Sequence, residues 1–139
     1  MTLAEKQEEL IQTINAIGDC FDQYSYLIVC SNDLAPLPEE YRKDENLVQG
    51  CQSKVWLHMQ FDADGRFHLA ADSDALILKG VLAILAELVE GAKAEELAEL
   101  EWQFLDRTEL GATFTSARSA GMKRTLEMIT EGAKAALRE

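Results

Sequence analysis

Apolar and polar residues alternate along two neighbouring stretches in the middle of the chain. A period of two is typical of a strand with one buried face. Between the stretches, the sequence Asp62-Ala63-Asp64-Gly65 has the Asp-Gly chemistry of a hairpin turn. The pattern therefore predicts an antiparallel hairpin over about 54–61 and 66–71. Its inward-facing residues are predicted to be Val55, Leu57, Met59, Phe61, Phe67, Leu69 and Ala71.

Helical spacing of apolar residues predicts two helices before the hairpin. The first is expected over 2–17 and is ended by Gly18, and the second over about 20–33 with Asp19 as its cap. Pro36 and Pro38 then open a loop that continues through Asn46. The core candidates of the two helices are Leu3, Leu10, Ile14, Ile17, Phe21, Tyr24, Leu27, Ile28 and Val29.

A third helix, over 74–90, is apolar on nearly every side, so we expect it to be central and buried. The oxygens of Asp72-Ser73-Asp74 are predicted to cap its beginning. Gly80 in its middle costs up to about 1 kcal/mol relative to alanine. Close packing against another backbone would explain that glycine.

The last third of the chain predicts a short helix over 94–100 and a final helix ending near 137. Between them, 101–111 shows no clean period, and Thr113, Thr115 or Ser116 can cap the final helix. The inward residues of that helix are predicted to be Met122, Leu126, Ile129 and Leu137. These elements predict one domain over 1–139.

Charge and composition exclude several classes of function. The 139 residues carry a formal net charge of −12 and no basic cluster, which argues against a nucleic-acid partner. The most apolar stretch, 76–89, is too short to span a bilayer, and the acidic N-terminus lacks an apolar signal region. Three cysteines without repeated spacing do not form a disulfide framework and fit a reducing compartment. We therefore expect a cytoplasmic protein with no membrane partner.

One cysteine has surroundings unlike those of the other two. Cys20 and Cys30 lie in the second predicted helix and are expected to pack as small apolar side chains. Cys51 follows Gly50 in a polar turn just before the first strand and is flanked by Gln52 and Ser53. An exposed thiol in such a turn can be reactive, but local chemistry leaves an inert surface thiol equally open.

Two alternatives to a reactive thiol receive little support. A metal site could use Cys51, His58, His68 and Asp72, but the closely spaced ligand pairs typical of zinc are missing. A cysteine–histidine hydrolase would need a histidine beside Cys51. His58 is seven residues along an extended strand, about 23 Å away. His68 should pair at the far end of the hairpin from Cys51.

Two cations could favour a thiolate at Cys51, namely Lys54 and Arg118. Arg118 lies at the start of the final helix, where a positive charge opposes the helix dipole. Its location therefore requires another reason, such as a neighbouring anion. An ordinary surface arginine is the alternative.

Several blocks together resemble the SufE/CsdE family of sulfur acceptors. Gly50-Cys51-Gln52-Ser53 followed by Val55-Trp56 resembles the active-site segment of that family. The resemblance extends to Asp72-Ser73-Asp74-Ala75 with Lys79-Gly80, to the Tyr24–Tyr26 region and to Arg118-Ser119-x-Gly121, and covers nearly the whole chain. One departure is Thr115-Ser116-Ala117-Arg118, where the family often has Thr-Pro-Ser-Arg.

The resemblance implies a fold, a partner and a set of site residues. The fold would be of the α+β class, with a small antiparallel sheet packed against helices, and would be shared with IscU-type scaffolds. Cys51 would accept persulfide sulfur from a pyridoxal-phosphate cysteine desulfurase, stimulate that enzyme, and deliver the sulfur to an iron–sulfur scaffold complex. Arg118, Gly50, Gln52 and Ser53 would support Cys51, and Asp74 and Lys79 would contact the partner. The resemblance implies no cofactor or metal on the chain itself and leaves room for a weak homodimer. A module that binds a partner without carrying sulfur is the alternative.

Overall fold

The computed structural model describes residues 1–49, 53–114 and 116–138. Within them, a two-stranded antiparallel sheet packs against helices, which confirms the predicted α+β class. The helices are α1 (Leu3–Ile17), α2 (Cys20–Cys30), α3 (Leu76–Val89), α4 (Ala94–Glu99) and α5 (Ser116–Leu137). The strands are β1 (Val55–Phe61) and β2 (Phe67–Ser73), and short 3-10 turns occur at 31–33, 39–41, 44–46 and 109–113.

The hairpin forms where the alternating pattern predicts it. Val55 pairs with Ser73 and Phe61 with Phe67 at the two ends of the ladder. Gly65 in the turn has a φ of 77°, a conformation that favours glycine. However, β2 continues to Ser73, so Asp72 and Ser73 are strand residues and do not cap a helix. Helix α3 begins instead after Ala75, without a side-chain cap.

Helix α3 is the centre of the core, as its uniformly apolar sequence predicts. Nine of its 14 residues are buried, and it packs against α2, β2 and α1. The predicted close approach at Gly80 is confirmed, because a Cβ atom there would lie 2.2 Å from the carbonyl oxygen of Leu27. Leu76, at the first turn, is an exception and is 52% exposed.

The buried faces of α1 and α2 differ from those predicted. Helix α1 buries Gln7 and Ile11 beside Leu3 and Ile14, whereas Leu10 and Ile17 are only half-buried. Helix α2 ends at Cys30, three residues before the predicted end. Three of its core candidates were wrongly predicted, because Phe21, Tyr24 and Val29 are exposed while Gln23, Leu27 and Cys30 face the core. Leu137 in α5 is likewise 46% exposed, but Met122, Leu126 and Ile129 are buried.

Candidate functional site

Main-chain pairing closes the base of the turn that contains Cys51. The backbone N–H of Val48 donates to the carbonyl oxygen of Val55 at 2.8 Å, and Leu47 and Trp56 form an antiparallel bridge. Val48 and Val55 are both buried. Val48 and Val55 therefore hold fixed positions on the two sides of the segment 49–54.

Lys54, on the second side of the turn, is held by the end of β2. Its backbone N–H donates to Oδ1 of Asp74 at 3.0 Å, and its carbonyl oxygen accepts from the Ser73 hydroxyl at 2.7 Å. The backbone N–H of Asp74 adds a third bond to the same carbonyl at 3.2 Å. Asp74 is thus a main-chain anchor of the turn as well as an exposed carboxylate.

A buried carboxylate lies directly behind this base. Asp72 is 6% exposed and forms ion pairs with Arg42 and with Lys79, whose Nζ is 3.4 Å from Oδ1. The Arg42 guanidinium also lies 4.9 Å from the centre of the Trp56 ring. A carboxylate is costly to bury unless it is paired, so Asp72 ties the loop before the turn, strand β2 and helix α3 together.

The predicted site residues are described only in part. Gly50, Cys51 and Gln52 lie outside the described residues. Ser53 is a half-buried bend residue next to Lys54, and Arg118 is half-buried in the first turn of α5. Lys79 is tied to the base of the turn by its ion pair with Asp72, and Asp74 by its hydrogen bond with the backbone N–H of Lys54.

The other two thiols have different surroundings. Cys30 is 7% exposed, and burial raises the pKa of its thiol. Its sulfur forms a hydrogen bond with the hydroxyl of Tyr26. Packing is therefore confirmed for Cys30, whereas Cys20 is only half-buried at the first position of α2.

Both histidines are engaged by other side chains. The His58 ring stacks on Tyr41 with 3.6 Å between ring centres. His68 lies between Asp62 and Glu90, at 2.8 and 2.5 Å, and these hydrogen bonds raise the pKa of its imidazole. His68 pairs across the sheet with Gln60, close to the 62–65 turn of the hairpin. This is the opposite end of the hairpin from the segment that contains Cys51. Over the described ranges, no group of three His, Cys, Asp or Glu side chains is arranged to hold a metal ion.

Sequence reasoning missed the cluster of Arg42, Trp56 and Asp72. The sequence pattern places Arg42 only in the loop that continues through Asn46, and it predicts Asp72 as part of a helix cap. The partners are 30 residues apart in the chain, and no local spacing signals such a pair. The available signal was Asp72 itself, because continuing the strand alternation by one more residue pair makes it part of β2.

Comparison with known proteins agrees with this architecture. The family described as "SufE: Fe-S metabolism associated domain" matches residues 8–133. A solved structure, the solution structure of a hypothetical protein from Thermus thermophilus, shares the fold with a TM-score of 0.81. The two chains are 20% identical, and the likeness covers 100% of each. No described helix is both long enough and apolar enough to cross a membrane. Because the family model matches residues 8–133 of the 139 residues, the chain belongs to the SufE family and has a role in Fe–S metabolism.

Proposed function

We propose that this protein accepts persulfide sulfur from a cysteine desulfurase onto Cys51 and passes it on for iron–sulfur cluster assembly. The observation that carries the proposal is the anchored base of the turn. Val48 and Val55 are joined by a main-chain hydrogen bond, and Lys54 is tied to Ser73 and Asp74. A short segment with fixed ends can offer its thiol to a partner while the rest of the fold stays unchanged.

The proposed transfer is an exchange without net oxidation or reduction. The Cys51 thiolate attacks the outer sulfur of the persulfide on the desulfurase. A new sulfur–sulfur bond forms at Cys51 as the bond within the donor persulfide breaks. The electron pair of the broken bond leaves on the desulfurase cysteine, which is thereby free for another turnover. Removal of the persulfide is how the acceptor would stimulate its desulfurase.

The character of the other thiols supports the choice of Cys51. An acceptor must be a thiolate and must be reached by the donor. Cys30 is buried, and burial raises the pKa of its thiol, so both requirements disfavour it. Cys20 is half-buried at the first position of α2, outside the segment that resembles the active site of the family.

The surface next to the turn is suited to contact with the desulfurase. Asp74 is exposed beside Lys54, and Leu76, two residues further on, is an exposed apolar side chain. Lys79 is partly exposed even though it pairs with Asp72. We assign Asp74 and Lys79 to the partner contact and Arg118, with Gly50, Gln52 and Ser53, to support of the thiol. The iron–sulfur scaffold complex is the proposed recipient of the sulfur.

A mass measurement tests the proposal. After incubation with a cysteine desulfurase and cysteine, peptides containing Cys51 should gain the mass of one sulfur atom. Cys51→Ser should remain folded and gain nothing, because a hydroxyl cannot hold a persulfide. Cys20→Ala and Cys30→Ala are the matched controls and should still gain sulfur at Cys51. Labelling of Cys20 or Cys30 in the Cys51→Ser protein would contradict the assignment.

The same experiment addresses the alternative of a binding module without sulfur transfer. Such a module would bind the desulfurase without any gain of mass at Cys51. Calorimetry measures binding to the desulfurase in parallel. For such a module, the wild type and the Cys51→Ser variant would bind equally well, and neither would carry sulfur.

A further inference from the structure

A groove lies on the protein surface where α1, α2 and α3 meet. Its volume is about 360 Å³. Apolar side chains from all three helices line it, namely Leu10, Tyr26, Cys30, Ala83, Ile84 and Leu88. The groove is about as large as the smaller ligand sites of proteins.

Three carboxylates stand at the rim of this groove. Glu9, Asp33 and Glu87 contribute three negative charges, and among the described lining residues Lys6 and the α-amino group of Met1 contribute positive charge. Among the described residues, none of the three forms an ion pair or a hydrogen bond through its side chain, although Glu8, Asp72 and Glu131 elsewhere do so with arginines. The rim therefore has an excess of negative over positive charge above an apolar floor.

The negative charges at the rim affect the pKa values of two side chains on the floor of the groove, Tyr26 and Cys30. The pKa of Tyr26 is raised to about 12, first by its hydrogen bond with Cys30, then by burial and by the nearby negative charges, including Glu87 and Asp33. The same two carboxylates help burial to raise the pKa of Cys30. A positive charge placed at the rim would be attracted by this field.

Apolar surface continues beyond the groove on either side. Val29 is 62% exposed and lies one helical turn from both Tyr26 and Asp33 in sequence. Met1, which also lines the groove, is 81% exposed. An occupant that covered these residues too would be larger than a small molecule that fills the groove alone.

We propose that this groove binds a segment of a partner protein in which apolar side chains are flanked by lysine or arginine. The apolar side chains would fill the floor, and the basic ones would pair with Glu9, Asp33 and Glu87. Ala83 is four residues along α3 from Lys79, or about 6 Å, so the groove begins one helical turn from the surface assigned to the desulfurase contact. The test below uses a peptide probe and no desulfurase, so the proposal does not depend on sulfur transfer.

Other occupants fit the charges less well. A second copy of this chain would bring the same carboxylates together in a symmetric contact, and like charges at a contact are unfavourable. Nucleic acid and anionic membranes would be repelled by the same rim. A small amine would satisfy the charge but leave Val29 and Met1 uncovered.

The test uses the full-length protein and a fluorescent amphipathic peptide of leucine and lysine as the probe. Binding is measured by anisotropy. The double variant Asp33→Lys/Glu87→Lys is compared with Glu95→Lys/Glu99→Lys, which makes the same change in net charge at exposed positions of α4. We expect the first variant to weaken binding about fivefold or more and the second to change it little. A peptide with serine in place of leucine should also bind much more weakly.

Four results would overturn the proposal. Equal losses in the two double variants would mean that the peptide responds only to net charge. Unchanged binding of the serine peptide would mean that the apolar floor plays no part. Spermine displacing the peptide at equal concentration would point to a small amine as occupant. A dimer seen by sedimentation and dissociated by Glu87→Lys would point to a second copy.

Discussion

Replacement of Gly80 by alanine offers a sharp test of how α3 is positioned. A Cβ atom at this site would lie 2.2 Å from the carbonyl oxygen of Leu27, 2.8 Å from its carbonyl carbon and 3.0 Å from its Cα. All three are backbone atoms of α2, so no side-chain rotation can relieve the contact. The two helices must move apart, which disturbs the core around both.

The expected size of the effect is the difference between two opposing terms. Alanine is favoured over glycine in a helix by about 1 kcal/mol. Overpacking a well-packed core costs about 1–3 kcal/mol or more, and contact with backbone is at the upper end of that range. The net loss is about 2 kcal/mol in the free energy of unfolding, which lowers Tm by roughly 6 °C for a chain of this length.

Gly132 in α5 provides the matched control. A Cβ atom there would meet Sδ and Cε of Met59 at 3.2 and 3.3 Å, and these belong to a flexible side chain. Gly132→Ala should therefore leave Tm unchanged or raise it. Melting curves followed by circular dichroism decide the matter. If Gly80→Ala melts at or above the wild-type temperature, or both variants fall equally, the inferred close packing of α2 on α3 is wrong.

Three further predictions concern the thiol, the pH dependence and metals. Arg118→Ala should raise the pKa of Cys51 and slow its alkylation at neutral pH, because the proposed role of the Arg118 cation is to favour the thiolate. Superimposable rate–pH curves for iodoacetamide in the two proteins would contradict that role. The raised pKa of His68 means that its contribution to stability is complete below the unfolded pKa near 6.5 and is lost as pH rises through the folded pKa. Unfolding in urea at several pH values should show this dependence reduced in His68→Gln, and an identical dependence in both proteins would contradict it. Finally, the purified protein should contain no stoichiometric zinc or iron, and EDTA should leave Tm unchanged. One tightly held metal ion per chain would favour an iron–sulfur scaffold over a sulfur carrier.

The hairpin and α3 could be predicted because their signals are local. Alternation and an Asp-Gly turn act over a few residues and determine both strands and their register. The uniformly apolar sequence of α3 has one stable location, at the centre. The boundary between β2 and α3 was predicted wrongly because Asp72 and Ser73 resemble caps, whereas here the aspartate is satisfied by distant cations.

The faces of α1 and α2 could not be predicted because buried glutamines define them. Gln7 and Gln23 are 4% and 1% exposed, although a pattern of apolar residues treats glutamine as surface. Gln23 donates to the carbonyl oxygen of Gly18 and accepts from the backbone N–H of Glu109. Once Gln23 faces inward, Phe21 and Tyr24 cannot do so.

The sequence singles out Cys51 as the candidate acceptor, but it does not reveal the contacts that support the base of the turn. Cys51 is distinguished by its neighbours in the chain and by the family resemblance. The contacts of Arg42 with Asp72 and of Lys54 with Asp74 join residues 20 or more positions apart. Such contacts arise from tertiary structure, and only the assembled sheet brings their partners together.

The hydrogen bonds of Gln7 imply an order of events during folding. The carbonyl of Glu101 and the backbone N–H groups of Gln103 and Phe104 bond to Gln7, which lies 94 to 97 residues earlier. These groups lie in a segment without a regular helix or strand before the 3-10 turn at 109, so much of its order depends on the first helix. We expect this segment to become ordered only after α1 has docked, and the amides of Gln103 and Phe104 to exchange hydrogen as one cooperative unit with α1. Helix α1 and the segment 101–104 are thereby coupled, and a destabilising substitution in α1 should have its largest effect in a segment that is distant in sequence.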